Sequence, residues 1–233
     1  MSKRIYQLEI EGRSLPLTVR RNSRARRLIL RLDTKGDGVV VTIPSHANIA
    51  EGLDMARRQS AWLAEQLGAQ PVRRPFIEGA QIPYLGQDHT LYRAPGQRGL
   101  IVRQDAAIHI PGAPEHLARR LTDWMKKQAR REISDRAIAK AALIGRTPGR
   151  ITIRDTRSRW GSCSPDGGLN FCWRLIMAPE AVLDYVVGHE VAHLAHMNHG
   201  ARFWKTVAKL VDDVETSRAW LRDNGEHLHR IGG

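Results

Sequence analysis

In the first hundred residues, apolar positions recur mostly at every second place. IYQLEI, LPLTVR, RLILRL and GVVVTIP are short alternating runs, the period of a strand with one face buried. Gly12, the stretch Lys35-Gly36-Asp37-Gly38 and Pro44 punctuate them as turns. From Asn48 to Leu67 the period becomes helical. Ile49, Leu53, Ala56, Trp62 and Leu67 fall largely at helical spacing, and Gly68 is the expected stop. A stretch dense in turn residues follows, with short strands expected at 76–78, 81–84 and 90–93 and a hairpin at 100–103 and 107–110.

Pro111, Gly112 and Pro114 mark the boundary at which the chain is expected to divide, into a β-rich region 1–112 and a second domain 113–233. The second part opens on a long helix, from about 114 to 144. Leu117, Leu121, Trp124, Met125, Ala129, Ile133 and Ala137 form its apolar stripe. Arg119, Arg120, Lys126, Lys127, Arg130, Arg131, Arg136 and Lys140 lie largely off that stripe, and Gly145 ends the helix. A strand at 150–155, the loop RSRWGSCSPDGG and a second strand, LNFCWRLIM, come next. Pro179 then opens another helix, and two more are expected at 201–211 and 216–224. The fold class is α+β.

The formal net charge is +13, from 37 basic and 24 acidic residues. Such an excess raises the prior for polyanionic partners, either a nucleotide or weak, sequence-independent nucleic-acid binding. The basic helix and the arginines of 20–31 would carry it; the blander reading is solvated helix and strand faces. No uninterrupted apolar stretch approaches a membrane span, and no apolar signal core precedes the first charges, so a cytoplasmic protein is expected. Cys163 and Cys172 make no disulfide framework and read as reduced thiols.

The chemistry gathers in PEAVLDYVVGHEVAHLAHMNHGARFW. His189 and His193 are four apart, so a helix stacks both imidazoles on one face, where they can hold one zinc ion. Glu190 adjoins the first histidine. In an HExxH motif this carboxylate is no ligand and takes a proton from zinc-bound water. A catalytic zinc needs a third protein ligand and one open position. His199 is the favoured third ligand, reached by a turn expected at Asn198 and Gly200. His196 is a rival, expected to sit on the same helix one turn beyond His193, where three ligands would splay along the axis. Glu215 is a second rival. Tyr185, one turn before His189, reads as a packed aromatic more readily than as a site residue.

RDTRSRWGSCSPDG, FCWRLIMAPEAVLDYVVGHEVAHLAHMNHGARFW and SRAWLRDNG closely resemble the YgjP-like metallopeptidases, relatives of the SprT-like and WLM zinc proteases. RRNSRARRLILRL, IPSHAN and FIEGAQIPYLGQDHTL carry the resemblance over nearly the whole chain. It implies a zincin-like domain, zinc on His189, His193 and His199, and Glu190 as catalytic base. Cys172 stands where such proteins often have Asn, and Gly200 where Ser is common. In zincins a strand beside the metal helix can pair with an extended peptide, which makes LNFCWRLIM the candidate, with Arg159 stabilising a developing oxyanion; the alternative is that Trp160 is core and Arg159 packs against it or pairs with an acid. The expected activity is zinc-dependent hydrolysis of peptide bonds. The alternatives are hydrolysis of a nucleoside triphosphate such as UTP and a nucleic-acid-associated protease of the SprT-like kind.

Overall fold

The structure is a computed structural model and describes residues 3–33, 38–94 and 99–232. The chain forms two compact units, residues 1–71 and 72–233. The turn expected at Lys35-Gly36-Asp37 lies outside the described residues.

In the first unit, strands β1 (Lys3–Ile10), β2 (Arg13–Arg21), β3 (Ile29–Leu32) and β4 (Val39–Ile43) form a mixed sheet in the order β1-β2-β4-β3. β4 lies between β2 and β3 and is buried along its whole length, which explains its run of β-branched residues. Helices α1 (Ile49–Arg58) and α2 (Ser60–Ala69) follow. The Asn48 side chain accepts from the Glu51 N–H while Glu51 reaches back to Asn48, a reciprocal cap. A single helix was expected here. The break at Gln59 carries no proline or glycine, so periodicity alone does not mark it.

In the second unit, β5 (Gln81–Tyr84), β6 (Gln87–Ala94), β7 (Val102–Gln104) and β8 (Ala107–Pro111) form a sheet in the order β5-β6-β8-β7. The strand expected at 76–78 is instead a turn into Gly79, with Phe76 buried. A short 3-10 turn, Pro114–His116, leads directly into α3 (Leu117–Leu143). The punctuation around Gly112 therefore serves as a sheet-to-helix turn within this unit. Ile82, Leu91, Ile108 and Ile110 of the sheet share one core with Leu117, Leu121 and Met125 of the helix. The predicted stripe of α3 is buried as expected, with the exception of Trp124, which is only partly covered.

A second small sheet joins β9 (Ile151–Arg154), β10 (Gly161–Cys163) and β11 (Leu169–Cys172) in the order β10-β11-β9. β10 arises within the segment read as a loop. The expected strand 169–177 stops at Cys172, and Trp173–Met177 form a buried 3-10 turn. Helix α4 (Glu180–Ala192) is buried on nearly every side, consistent with its lack of a polar face. Helices α5 (Ala201–Leu210) and α6 (Val214–His229) complete the unit. α6 runs past Asn224, the end expected from the sequence, and through Gly225. The glycine lies against the Trp160 ring, where a Cβ would meet it at 3.2 Å. The architecture is a mixed α+β one.

Much of the basic helix is engaged in internal contacts. Arg136 pairs with Glu132 and with Glu180 of α4, and Lys140 with Asp184 and the Leu210 carbonyl. Arg131 pairs with Glu132, and Arg130 donates to the Ile151 carbonyl. Arg20 and Arg21 bond Thr42 and the carbonyls of Pro44 and Ser45. Arg24, Arg26 and Arg27 are exposed, with no side-chain partner among the described residues. Among those residues, no helix is long and apolar enough to cross a membrane. Cys163 and Cys172 are both free.

Candidate active site

His189 and Glu190 lie in the last turn of α4, and His193 caps it. The chain leaves the helix earlier than expected. The N–H of Leu194 bonds Val191, and those of Ala195 and His196 bond Ala192, so the turn begins at His193. His196 is thus off the helix, and the splaying argument against it does not apply. Gly200 is the N-cap of α5, and the segment before it brings His199 back onto α4. One ring nitrogen from each of His189, His193 and His199 lies within 4.8 Å of the others.

The geometry suits a metal ion. The Nε2 atoms of His189 and His199 are 3.1 Å apart. Two nitrogens each about 2.0–2.1 Å from a tetrahedral ion stand about 3.3 Å apart. The His193 Nδ1 lies 3.1 Å from the His196 carbonyl oxygen, which can only accept. That contact fixes the ring tautomer and leaves the lone pair on Nε2. His196 therefore bears on the site through its backbone. Burial, and then the neighbouring histidines, push the His189 imidazole down to about 4. Burial also lowers His193. Both rings are neutral near pH 7, the form that binds a metal. Glu215, the other rival ligand, is exposed and pairs with Arg218 on α6.

Phe203 is fully buried beneath the group, its ring centroid 5.0, 4.5 and 4.7 Å from those of His189, His193 and His199. Trp204 flanks His189 and His199 at 5.9 Å each. Sequence reasoning gave these two no role. Their signal is the four-residue step from His199 to Phe203, which sets the two rings edge to face once α5 begins at Ala201.

Glu190 is 7% exposed, and burial raises its carboxyl to about 7, opposed by the Arg159 guanidinium. It lines a cleft of about 240 Å³ with Arg159, Trp160, Gly161, Tyr185 and His189. Gly161 is the residue the motif does not reveal. A Cβ there would lie 2.5 Å from the Glu190 Cγ, so only glycine lets β10 pass over the carboxylate. Trp160 stacks on His229 at 4.6 Å and packs on Gly225. Behind it, buried Arg174 pairs with Asp155 and donates to the Leu228 and Ile231 carbonyls. Tyr185 is buried and lies edge-on to His189 while also lining the cleft.

A model of the YgjP-like metallopeptidase domain matches residues 26–224. The chain belongs to this family. No curated protein matches it. Among solved structures, the metallopeptidase zymogen abylysin of Pyrococcus abyssi is 20% identical. The match covers 40% of this chain and 93% of that one at a TM-score of 0.35, too loose a likeness to define a fold. The YgjP-like family is one of metal-dependent hydrolases, which accords with a three-histidine group beside a buried carboxylate.

Within this YgjP-like chain, one expectation about the site needs correction. LNFCWRLIM was the strand expected to receive an extended peptide. Its strand portion, β11, is central, with β10 on one side and β9 on the other, so its backbone groups are already paired. The strand with an unpaired edge next to α4 is β10. Arg159 lies two residues before it, exposed and lining the cleft.

Proposed function

We propose that the protein is a zinc-dependent peptidase whose catalytic group is His189, His193, His199 and Glu190. The observation that carries this reading is the convergence of three imidazoles within 4.8 Å, next to a buried carboxylate in an open cleft. The three imidazoles would hold the ion. Zinc, when bound, supplies a Lewis acid that polarises the scissile carbonyl and makes water acidic enough to attack near neutral pH.

The remaining roles belong to the chain. Glu190 accepts the proton of the attacking water and returns it to the leaving amine. Its burial makes the protonated form accessible near pH 7, as a shuttle requires; a bound dication would draw it back toward the carboxylate. The β10 edge offers its backbone N–H and C=O groups to an extended peptide, the β-augmentation mode. Arg159 faces negative charge that builds on the carbonyl oxygen. Trp160 and Tyr185 wall the cleft against water.

The same machinery could act on a triphosphate, so the test runs both substrates. Zinc-loaded protein is assayed on an unfolded protein and on UTP, with Glu190→Gln as control. Cleavage of the protein substrate that is lost in Glu190→Gln supports the peptidase reading. UTP hydrolysis alone, lost in the same variant, replaces it with the nucleotide one.

A further inference from the structure

Two hollows lie along the β10 edge. The cleft described above is at its Gly161 end, beside His189 and Glu190. A second pocket, of about 360 Å³, is at its far end, lined by Ser164, Pro165 and Gly167 of the turn after β10, by Gly145, Arg146 and Thr147, and by His193 and the residues that follow it. Gly161 and Ser164 are three strand steps apart, about 10 Å, so a peptide laid along β10 presents side chains two to three residues apart to the two hollows.

The wall carrying Arg146 is firmly built. α3 ends at Gly145, which has φ +64°, and the Arg146 N–H bonds the Ala141 carbonyl at 2.9 Å. The Gly149 N–H bonds the Gly167 carbonyl at 2.9 Å, and a Cβ on Gly149 would meet that backbone at 3.1 Å. The loop is thus stapled to the turn that follows β10. Arg146 is exposed and has no ion pair among the described residues. Asp166 lies in the same turn, but it makes no ion pair with Arg146 among the described residues, and the Ser164 hydroxyl beside it donates to the Gly168 carbonyl. The lining itself contains no acid. An arginine on a fixed base, lining a pocket that has no acidic residue, is suited to receive a carboxylate.

We propose that Arg146 is a specificity-determining residue that binds the carboxylate of an acidic side chain in the peptide lying along β10, on the His193 side of the cleaved bond. The proposal rests on the peptidase reading, and the experiment keeps the two apart. Peptides identical except for Glu, Gln or Lys at one position, scanned across the cleavage site, are cut by zinc-loaded protein, and kcat/KM is measured. Their binding to the Glu190→Gln protein is followed in parallel by fluorescence anisotropy.

At one position on one side of the bond, wild type should favour Glu over Gln roughly tenfold in both readouts. Arg146→Gln should bring that ratio near one, and Arg146→Glu should shift the preference to Lys. Arg150→Glu, an exposed arginine of the same loop outside the pocket, should keep the wild-type ratio. Circular dichroism and zinc content verify that each variant is folded. Equal cutting and binding of the Glu and Gln peptides by wild type, or a preference that survives in Arg146→Gln, overturns the proposal. No cutting above the Glu190→Gln background sinks the peptidase reading and this proposal together.

Discussion

The two ends of α4 are built on opposite principles. At its N-terminal half, Glu180 and Asp184 are matched to Arg136 and Lys140 of α3, and Lys140 also caps the Leu210 carbonyl. At its C-terminal end, groups are left unmatched. The buried Nδ1 of His189 has no hydrogen-bond partner among the described residues, and Glu190 is buried with an arginine only nearby. One helix thus joins a satisfied network, which holds it in place, to a frustrated cluster of unmatched polar groups. Stability and chemistry are separable along it, and substitutions at each end should show different signatures.

The largest effect is expected at the frustrated end. His189→Ala or His193→Ala should lose most of the zinc measured by metal analysis and all turnover, with His199→Ala close behind. His196→Ala should keep stoichiometric zinc, since only its backbone carbonyl meets the site. Next comes Glu190→Gln, expected to keep zinc and lose about 10²–10⁴-fold in rate. Activity within a few-fold of wild type would remove Glu190 from the mechanism. At the matched end, Arg136→Met removes the bridge between Glu132 of α3 and Glu180 of α4. It should lower unfolding free energy by on the order of 2–3 kcal/mol, less than for a fully buried pair because the network is partly solvated. Its kcat per zinc-loaded molecule, measured well below the thermal midpoint, should stay near wild type. A variant that kept its stability but lost its rate would erase the distinction between the two ends.

The smallest effect is one of pH. Burial, and then Arg174, push the His229 imidazole down to about 4 from an ordinary value near 6.5. The unfolded chain therefore binds a proton that the folded one refuses between those values. Stability is fully present above about pH 6.5 and is lost as pH falls toward 4. His229→Phe keeps a ring against Trp160 and cannot titrate. Its thermal midpoint should fall less steeply than that of wild type over that window.

Periodicity made α3 and α4 legible, because a buried stripe and an all-apolar helix leave marks at every turn. HExxH carried its own helix. β10 left no mark: three residues, one of them a glycine, have no alternation to read. The end of α4 was placed too late because no breaker follows His193, and the turn is made by backbone hydrogen bonds alone. The basic residues misled for a different reason. A sequence counts charges without showing their partners, so Arg136 and Lys140 looked like surface while they tie α3 to α4. Arg146, which has no ion pair among the described residues, drew no notice. The Pro/Gly cluster at 111–114 shows the same limit. Such residues mark a bend equally well inside one core or between two.

Gly161 contributes no functional group to any reaction, yet the position of Glu190 depends on a methyl that is absent there. In a complete substitution scan this site should look like an active-site residue, intolerant even of alanine, while chemical probes aimed at nucleophiles, acids or metal ligands would pass over it. Drift in this lineage is therefore constrained at a site with no reactive side chain. A homologue carrying a side chain at this position would have had to move either the strand or the carboxylate.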